Sequence, residues 1–350
     1  MARITHMSLQ SKFNTFNQKI QLTRQDDTYK EAREKDDSIT NVIKTKFKEK
    51  GYPVIDDFVQ GSLATFTAIK EKDKDFDIDR AIVIDHDEAP TDPVEAKKVI
   101  LDILENRGFH NAKIKKPCVT ADYKSQYLHI DIPVYRKTSW ESYQLALGKK
   151  DSNTENKIWS DSAPKELIEW VNDSSSYYLY KDEKIKQFRR LVRYLKRWRN
   201  FKFSHDVSRK IYSIGLTVMI KQHFKPSIDS EGCPNDLIAL KDTVNSILNW
   251  SGYFISYPDD QWKVQVSLPV SPKRDIFHGS SLNTGTRFRN RLSHLNASLQ
   301  TVIDETDESK QCSLLIGLFG DDFPEGTNNT SAARKTVFAT SGAVGTSQGA

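Results

Sequence analysis

Apolar residues recur at helical spacing along the start of the chain. Phe13, Phe16 and Ile20 share one stretch; Ile39, Val42, Ile43 and Phe47 share a second, which Gly51 and Pro53 end. The period then falls to two. "YPVIDDFVQGS" (52–62) predicts a strand running into a Gly-Ser turn, and the acidic strand "KEKDKDFDIDRAIVID" (70–85) follows it. A helix over 93–106 carries Val99, Ile100, Ile103 and Leu104 inward and stops at Gly108. "AKIKKPCVTADYKSQYLHIDIPVY" (112–135) predicts a two-stranded hairpin whose second strand alternates through Leu128, Ile130, Ile132 and Val134. Helical spacing returns with Ile185, Phe188, Leu191, Val192, Leu195 and Trp198 over 183–202, and again over 208–223, 235–250, 284–304 and 309–319. An insert at 252–275 predicts a short β-hairpin closed near Asp259-Asp260.

This order of elements predicts an α+β protein of two lobes, a mixed sheet followed by a helical bundle. The boundaries fall at 1–183 for the N-terminal helices and sheet core, 184–325 for the helical lobe, and 326–350 for a small, polar tail expected to be disordered. Composition adds exclusions. Apolar runs such as Leu314-Leu315-Ile316 fall far short of the ~20 residues of a membrane span. No apolar signal-peptide stretch opens the chain. Cys118, Cys233 and Cys312 lie far apart without a CxxC pair, against a disulfide framework or zinc module, so a reduced cytoplasmic protein is expected. The net charge of +5 suits phosphate-bearing small molecules or weak nucleic-acid contact.

Chemistry concentrates in three places. Gln60-Gly61-Ser62 stands at a strand end, where a turn lets backbone N–H groups and a hydroxyl approach phosphate oxygens. Asp77 and Asp79, two residues apart on a strand, put two carboxylates on one face. Asp131 is a carboxylate inside the apolar alternation of "LHIDIPVY". Three converging carboxylates repel unless divalent cations sit among them, and hard oxygen ligands of this kind suit Mg²⁺ shared with substrate phosphates. Asp75-Phe76-Asp77 is a second, in-phase pair, so Asp75 is an alternative ligand; the apolar Ala81–Ile84 directly after Asp79 favours Asp77/Asp79. Arg80, where an apolar residue is expected, has no account from the sequence. His129 shares the strand parity of Asp131 and is expected to be a structural hydrogen-bond partner. Nine basic residues between Lys184 and Lys202 are expected mostly to solvate the outer face of their helix.

The sequence Gly61-Ser62, spacer, Asp77-x-Asp79 and a third acid on a later strand resembles the DNA polymerase β-like nucleotidyltransferases. Within them it is similar to the cGAS/DncV-like nucleotidyltransferases (CD-NTases). "QGSLATFTAI", "DIDRAIVI" and "HIDIPVY" carry the likeness. "LVRYLKRWRNFKFSHDVSRKIYSIGLTV" adds a spine-helix lysine and a serine on the next helix. The resemblance implies that Lys196 contacts the phosphates of a donor nucleotide and that Ser213 assists. It implies Asp77, Asp79 and Asp131 as catalytic metal ligands for two Mg²⁺ ions (or Mn²⁺). The implied product is a cyclic di- or trinucleotide made from ATP and/or GTP in bacterial anti-phage signalling, which would reach an effector without membrane or nucleic acid. A tail ending in Gly349-Ala350 resembles termini that an E1/E2-like ligase conjugates, here through Ala350. Two other readings remain: a non-cyclising nucleotidyltransferase, and a basic nucleic-acid-binding module built on 184–202.

Overall fold

The computed structural model describes residues 2–70, 76–123, 128–138 and 140–326; Asp73, Asp75 and the tail with Gly349 and Ala350 lie outside the described residues. The chain begins with helices α1 (Ala2–Ile20) and α2 (Asp27–Glu49). One mixed sheet follows: β1 (Val54–Gln60), β2 (Phe76–Asp85), β3 (Lys113–Ile114), β4 (Val119–Tyr123), β5 (Leu128–Ile132), β6 (Val134–Lys137), β7 (Tyr143–Leu147) and β8 (Ile158–Ser162). The short helix α3 (Gly61–Ala64) follows β1, and α4 (Pro93–Asn106) follows β2.

The acidic strand β2 is central. On one edge β1 pairs with it antiparallel, setting Gln60 opposite Asp79. On the other edge β5 and β6 pair with it parallel in one register, with Asp79 opposite Asp131 and Ile82 opposite Val134. They are one line of chain interrupted at Pro133, which has no N–H to give the ladder, although its carbonyl accepts from the Ile82 amide at 3.0 Å. Beyond that interruption the line changes neighbours: β4 pairs with β5, and β7 with β6. The predicted hairpin is present as β4 and β5. The small strands β7 and β8 and the helix α5 (Pro164–Asn172) are additions that the periodicity does not announce.

Ala81, Ile82, Val83 and Ile84 are fully buried, because β2 is covered on both faces. Ile78, Ile82 and Ile84 point toward α2 and α4 and pack with Ile39, Ile43, Phe47, Ile100 and Leu104. Arg80 has the same parity, and this explains it. Its Nε donates to Asp36 Oδ1 at 3.0 Å, its Nη1 to Asp57 Oδ2 at 2.9 Å and its Nη2 to Asp37 Oδ1 at 2.9 Å. The guanidinium therefore ties α2 to β1 and β2 beneath the acidic face. Asp36 is fully buried, and in Arg80→Met its carboxylate loses that guanidinium and falls back on Arg33. We expect a loss of about 3 kcal/mol in urea denaturation, largely recovered in Arg80→Met/Asp36→Leu. A loss under ~1 kcal/mol in the single variant would show that water reaches the network.

The remaining helices are α6 (Lys181–Lys202), α7 (His205–Ser208), α8 (Ser213–His223), α9 (Asp236–Asn249), α10 (Leu282–Asp304) and α11 (Glu308–Phe319), with the hairpin β9 (Phe254–Tyr257) and β10 (Gln261–Val264). That hairpin turns at Asp259 and Asp260, both left-handed (φ 59° and 52°), where the sequence placed it. The helix expected over 208–223 starts at Ser213, after the single turn of α7. The predicted stripe of α6 is the axis of a second core. Helix α1 buries Leu9, Phe13, Phe16 and Ile20 in that core rather than against the sheet, with Phe16 and Phe319 rings 5.1 Å apart and Phe13 and Phe323 5.2 Å apart. Among the described residues, no helix is long and apolar enough to cross a membrane.

Candidate active site

The site forms where strand ends meet α6. Strand β1 ends at Gln60, whose Oε1 accepts a hydrogen bond from the buried Tyr135 hydroxyl at 3.0 Å. Gly61 then turns the chain with φ +66°, and a Cβ built there would lie 2.0 Å from Asp79 Oδ2. The chain thus passes directly over the Asp79 carboxylate, an approach that only glycine permits. Asp77 is exposed on the same face. Beside Asp77, the His129 ring bridges two acids, with Nδ1 3.5 Å from Asp77 Oδ1 and Nε2 3.3 Å from Asp122 Oδ1. Asp131 lies one strand over from Asp79. Its Oδ1 accepts from Lys115 Nζ at 3.2 Å and from the Thr120 hydroxyl.

From the opposite side, α6 grips the loop after α3. Arg193 Nη1 donates to the Phe66 carbonyl at 2.6 Å, and Lys196 Nζ to the Thr67 carbonyl at 3.0 Å. One turn on, Arg199 Nη1 donates to Ser213 Oγ at 2.9 Å. Gln60, Gly61, Ser62, Asp77, Asp79, Lys196 and Ser213 all line one cavity of about 670 Å³. Asp131 is not in that lining; it stands opposite Asp79 in the pairing of β2 with β5. Tyr135, Thr67 and Arg199 also line the cavity and were not anticipated, although strand parity for Tyr135 and the i+3 position after Lys196 for Arg199 were available signals.

The basic helix departs from expectation. Arg190, Arg193 and Lys196 are buried, and Arg190 and Arg197 pair with Asp236 and Asp322. Because α6 packs against α1, α8, α9 and α11, Arg190, Arg193, Lys196 and Arg197 serve internal contacts, while Lys186 stays in solvent.

Charge on the cavity floor is uncomfortable. Desolvation, then the neighbouring Asp77 and Asp131, push the Asp79 carboxyl up to about 7, against the pull of Lys196 and Lys115. Burial, then Arg199 and Arg193, push the Lys196 ammonium down to about 7, against Asp79 and Asp77. Each charged group is a partial remedy for the other. Among the described residues, no three acidic, histidine or cysteine side chains come close enough to form a ready-made metal cluster. The donor set nevertheless fits a divalent cation: hard oxygens, mutual repulsion and a glycine that leaves Asp79 room.

Residues 7–174 match the Second Messenger Oligonucleotide or Dinucleotide Synthetase (SMODS) domain family. A cyclic GMP-AMP synthase of Escherichia albertii is 31% identical over 185 residues, which is 50% of this chain and 39% of that protein. The match therefore spans well under half of that relative's length. The fold is similar to the Bradyrhizobium diazoefficiens CD-NTase CdnG solved with GTP, with TM-score 0.66 and 15% identity over 89% of this chain and 96% of that one. It is also similar to the Vibrio cholerae DncV cyclic AMP-GMP synthase solved with the linear intermediate 5′ pppA(3′,5′)pG, with TM-score 0.58 and 16% identity over 93% of this chain and 89% of that one.

Proposed function

We propose that this chain is one of the cGAS/DncV-like nucleotidyltransferases, the CD-NTases, and that it makes a cyclic di- or trinucleotide from nucleoside triphosphates. The observation that carries the reading is the convergence of Gln60–Ser62, Asp77, Asp79, Lys196 and Ser213 on one cavity. Its volume of about 670 Å³ lies in the range of small-molecule sites.

Gly61 and Ser62 hold the β- and γ-phosphates of the donor. Lys196 turns from the Thr67 carbonyl to the phosphates, and Ser213, held by Arg199, assists. Asp77, Asp79 and Asp131 are the residues that would hold two Mg²⁺ ions. Bound there, the ions would offset the carboxylate and triphosphate charge and acidify the attacking hydroxyl. An acceptor ribose hydroxyl then attacks the α-phosphorus; the new P–O bond forms as the bond to the β-phosphate breaks, the hydroxyl proton passes to the Asp131 carboxylate, and pyrophosphate departs. The linear product turns over in the cavity, and a last equivalent step closes the ring.

The wider reading places the enzyme in the bacterial cytoplasm, with its product acting on an effector and the Ala350 carboxylate joined to a target by an E1/E2-like ligase. Mass spectrometry after co-expression with such a ligase tests that last point through an adduct at Ala350. The main experiment is incubation with α-³²P-labelled ATP and GTP, then phosphatase. A small, phosphatase-resistant product that Asp77→Ala/Asp79→Ala abolishes is expected. A phosphatase-sensitive chain, or label on a macromolecule, would instead indicate a non-cyclising transferase. No labelled product, with salt-sensitive nucleic-acid binding that survives the double substitution, would indicate a binding module.

A further inference from the structure

We propose that Lys115 is a built-in counter-ion of Asp131 which a divalent cation must displace, so that this lysine sets the metal demand of the site. The inference rests on the reading of Asp77, Asp79 and Asp131 as metal ligands. Register places Asp131 beside Asp79 on one sheet face, yet its carboxylate is turned to other partners. Its Oδ1 accepts from Lys115 Nζ at 3.2 Å and from the Thr120 hydroxyl. Both donors sit on Oδ1, so a cation ligated by Oδ2 of the same carboxylate would face the Lys115 ammonium across it, and one ligated by Oδ1 would meet it directly. The Thr120 hydroxyl is neutral and can rotate, whereas an ammonium beside a doubly charged ion is repelled and has to move.

Lys115 is held in place from behind. It opens the turn between β3 and β4, where its amide donates to the Cys118 carbonyl at 2.9 Å. The Lys115 and Lys116 carbonyls accept from Lys97 Nζ at 3.2 and 2.7 Å, and the Gly148 carbonyl accepts from it at 2.7 Å. Lys97, on α4, is fully buried, so an ammonium with three backbone acceptors clamps the turn to the helix layer. Only the end of Lys115 is left to move. Its side chain keeps 37% of its surface in solvent, which gives the ammonium a place to go. Lysine suits this role, because a flexible stem carries a point charge with no bidentate grip on the carboxylate.

The test is Mn²⁺ titration of the nucleotide-free full chain, followed by the paramagnetic resonance signal of free Mn²⁺. Coulomb attraction across such a contact in a partly solvated site corresponds to roughly 5- to 50-fold in affinity. Lys115→Met should bind Mn²⁺ more tightly by that factor. Lys116→Met removes the same charge from an exposed neighbour on the same turn and should stay within about twofold of wild type. Lys115→Gln repeats the test if the methionine variant folds poorly. Equal or weaker Mn²⁺ binding in a natively melting Lys115 variant overturns the proposal. The underlying reading is tested separately: Asp79→Asn should lose Mn²⁺ binding. If Asp79→Asn titrates like wild type, the metal-ligand reading itself fails. If Asp79→Asn loses binding while Lys115→Met matches wild type, that reading stands and the counter-ion role falls.

Discussion

Asp79→Asn should cost turnover roughly 10²- to 10³-fold or more while raising the melting temperature of the nucleotide-free protein at pH 8. The two effects have one origin. Asp79 sits at the cavity floor with Asp77 and Asp131 nearby, and its carboxyl titrates near 7 instead of its ordinary 3.8. An acid whose folded-state pKa is raised keeps its proton in the native protein after the unfolded chain has released it. Wild-type stability therefore declines as pH rises from about 4 to about 7, and the deficit is complete above that window. The amide removes this deficit. Lys196, already depressed to about 7, loses an attractive neighbour and sheds its proton more readily, so no buried ammonium is stranded at pH 8. A gain of about 2 kcal/mol, or some 2–4 °C in a chain of this size, is expected at pH 8, with the two melts converging only as the pH falls below about 4. A variant that melts lower than wild type at pH 8 would mean that Asp79 is a stabilising ion-pair partner. Melting curves at pH 8 and below about pH 4, without metal or nucleotide, decide it.

The second large effect belongs to Gly61. Gly61→Ala asks an L-residue to adopt φ +66° and places its Cβ 2.0 Å from Asp79 Oδ2. The backbone cost alone is ~1–2 kcal/mol. The collision is the more damaging part, since either the turn or the carboxylate has to move. Turnover should fall by roughly 100-fold or more, because misplacement of a reacting geometry by about 1 Å costs that much. Gly51→Ala separates the two contributions: φ there is +86°, with nothing within 4 Å of the added Cβ. That control should lose about 1 kcal/mol in stability and keep its turnover. Equal activity in the two variants would remove Gly61 from the site.

Several of these features were legible because they depend on short-range periodicity. Asp77 and Asp79 share a face by parity, the apolar run after them fills both sides of a central strand, and the stripe of α6 makes a core. His129 shares the parity of Asp131 and is expected to be a hydrogen-bond partner, but its two acidic neighbours, Asp77 and Asp122, come from strand pairing. Pairings across long loops were not legible. Arg80 looks misplaced until α2 brings Asp36 over it, 44 residues away in the chain. Lys115 is one basic residue among many until the turn between β3 and β4 aims it at Asp131. The buried cations of α6 appeared solvated because a single helix pattern cannot report that four other helices pack against it. Asp75 lies outside the described residues, so the choice between the two in-phase acid pairs rests on the apolar run after Asp79.

The docking of α1 among the last helices has a consequence for how the protein is made. A ribosome releases Phe13 and Phe16 about 300 residues before Phe319 and Phe323, the rings they pack against. At ~5–20 residues per second, α1 waits on the order of 15–60 s with its apolar face uncovered. The second core cannot close until translation has passed α11, and α6, which carries Lys196 to the cavity, runs through that core. A nascent chain cut short of those rings would hold all three acids but lack the packing that fixes their cationic counterpart.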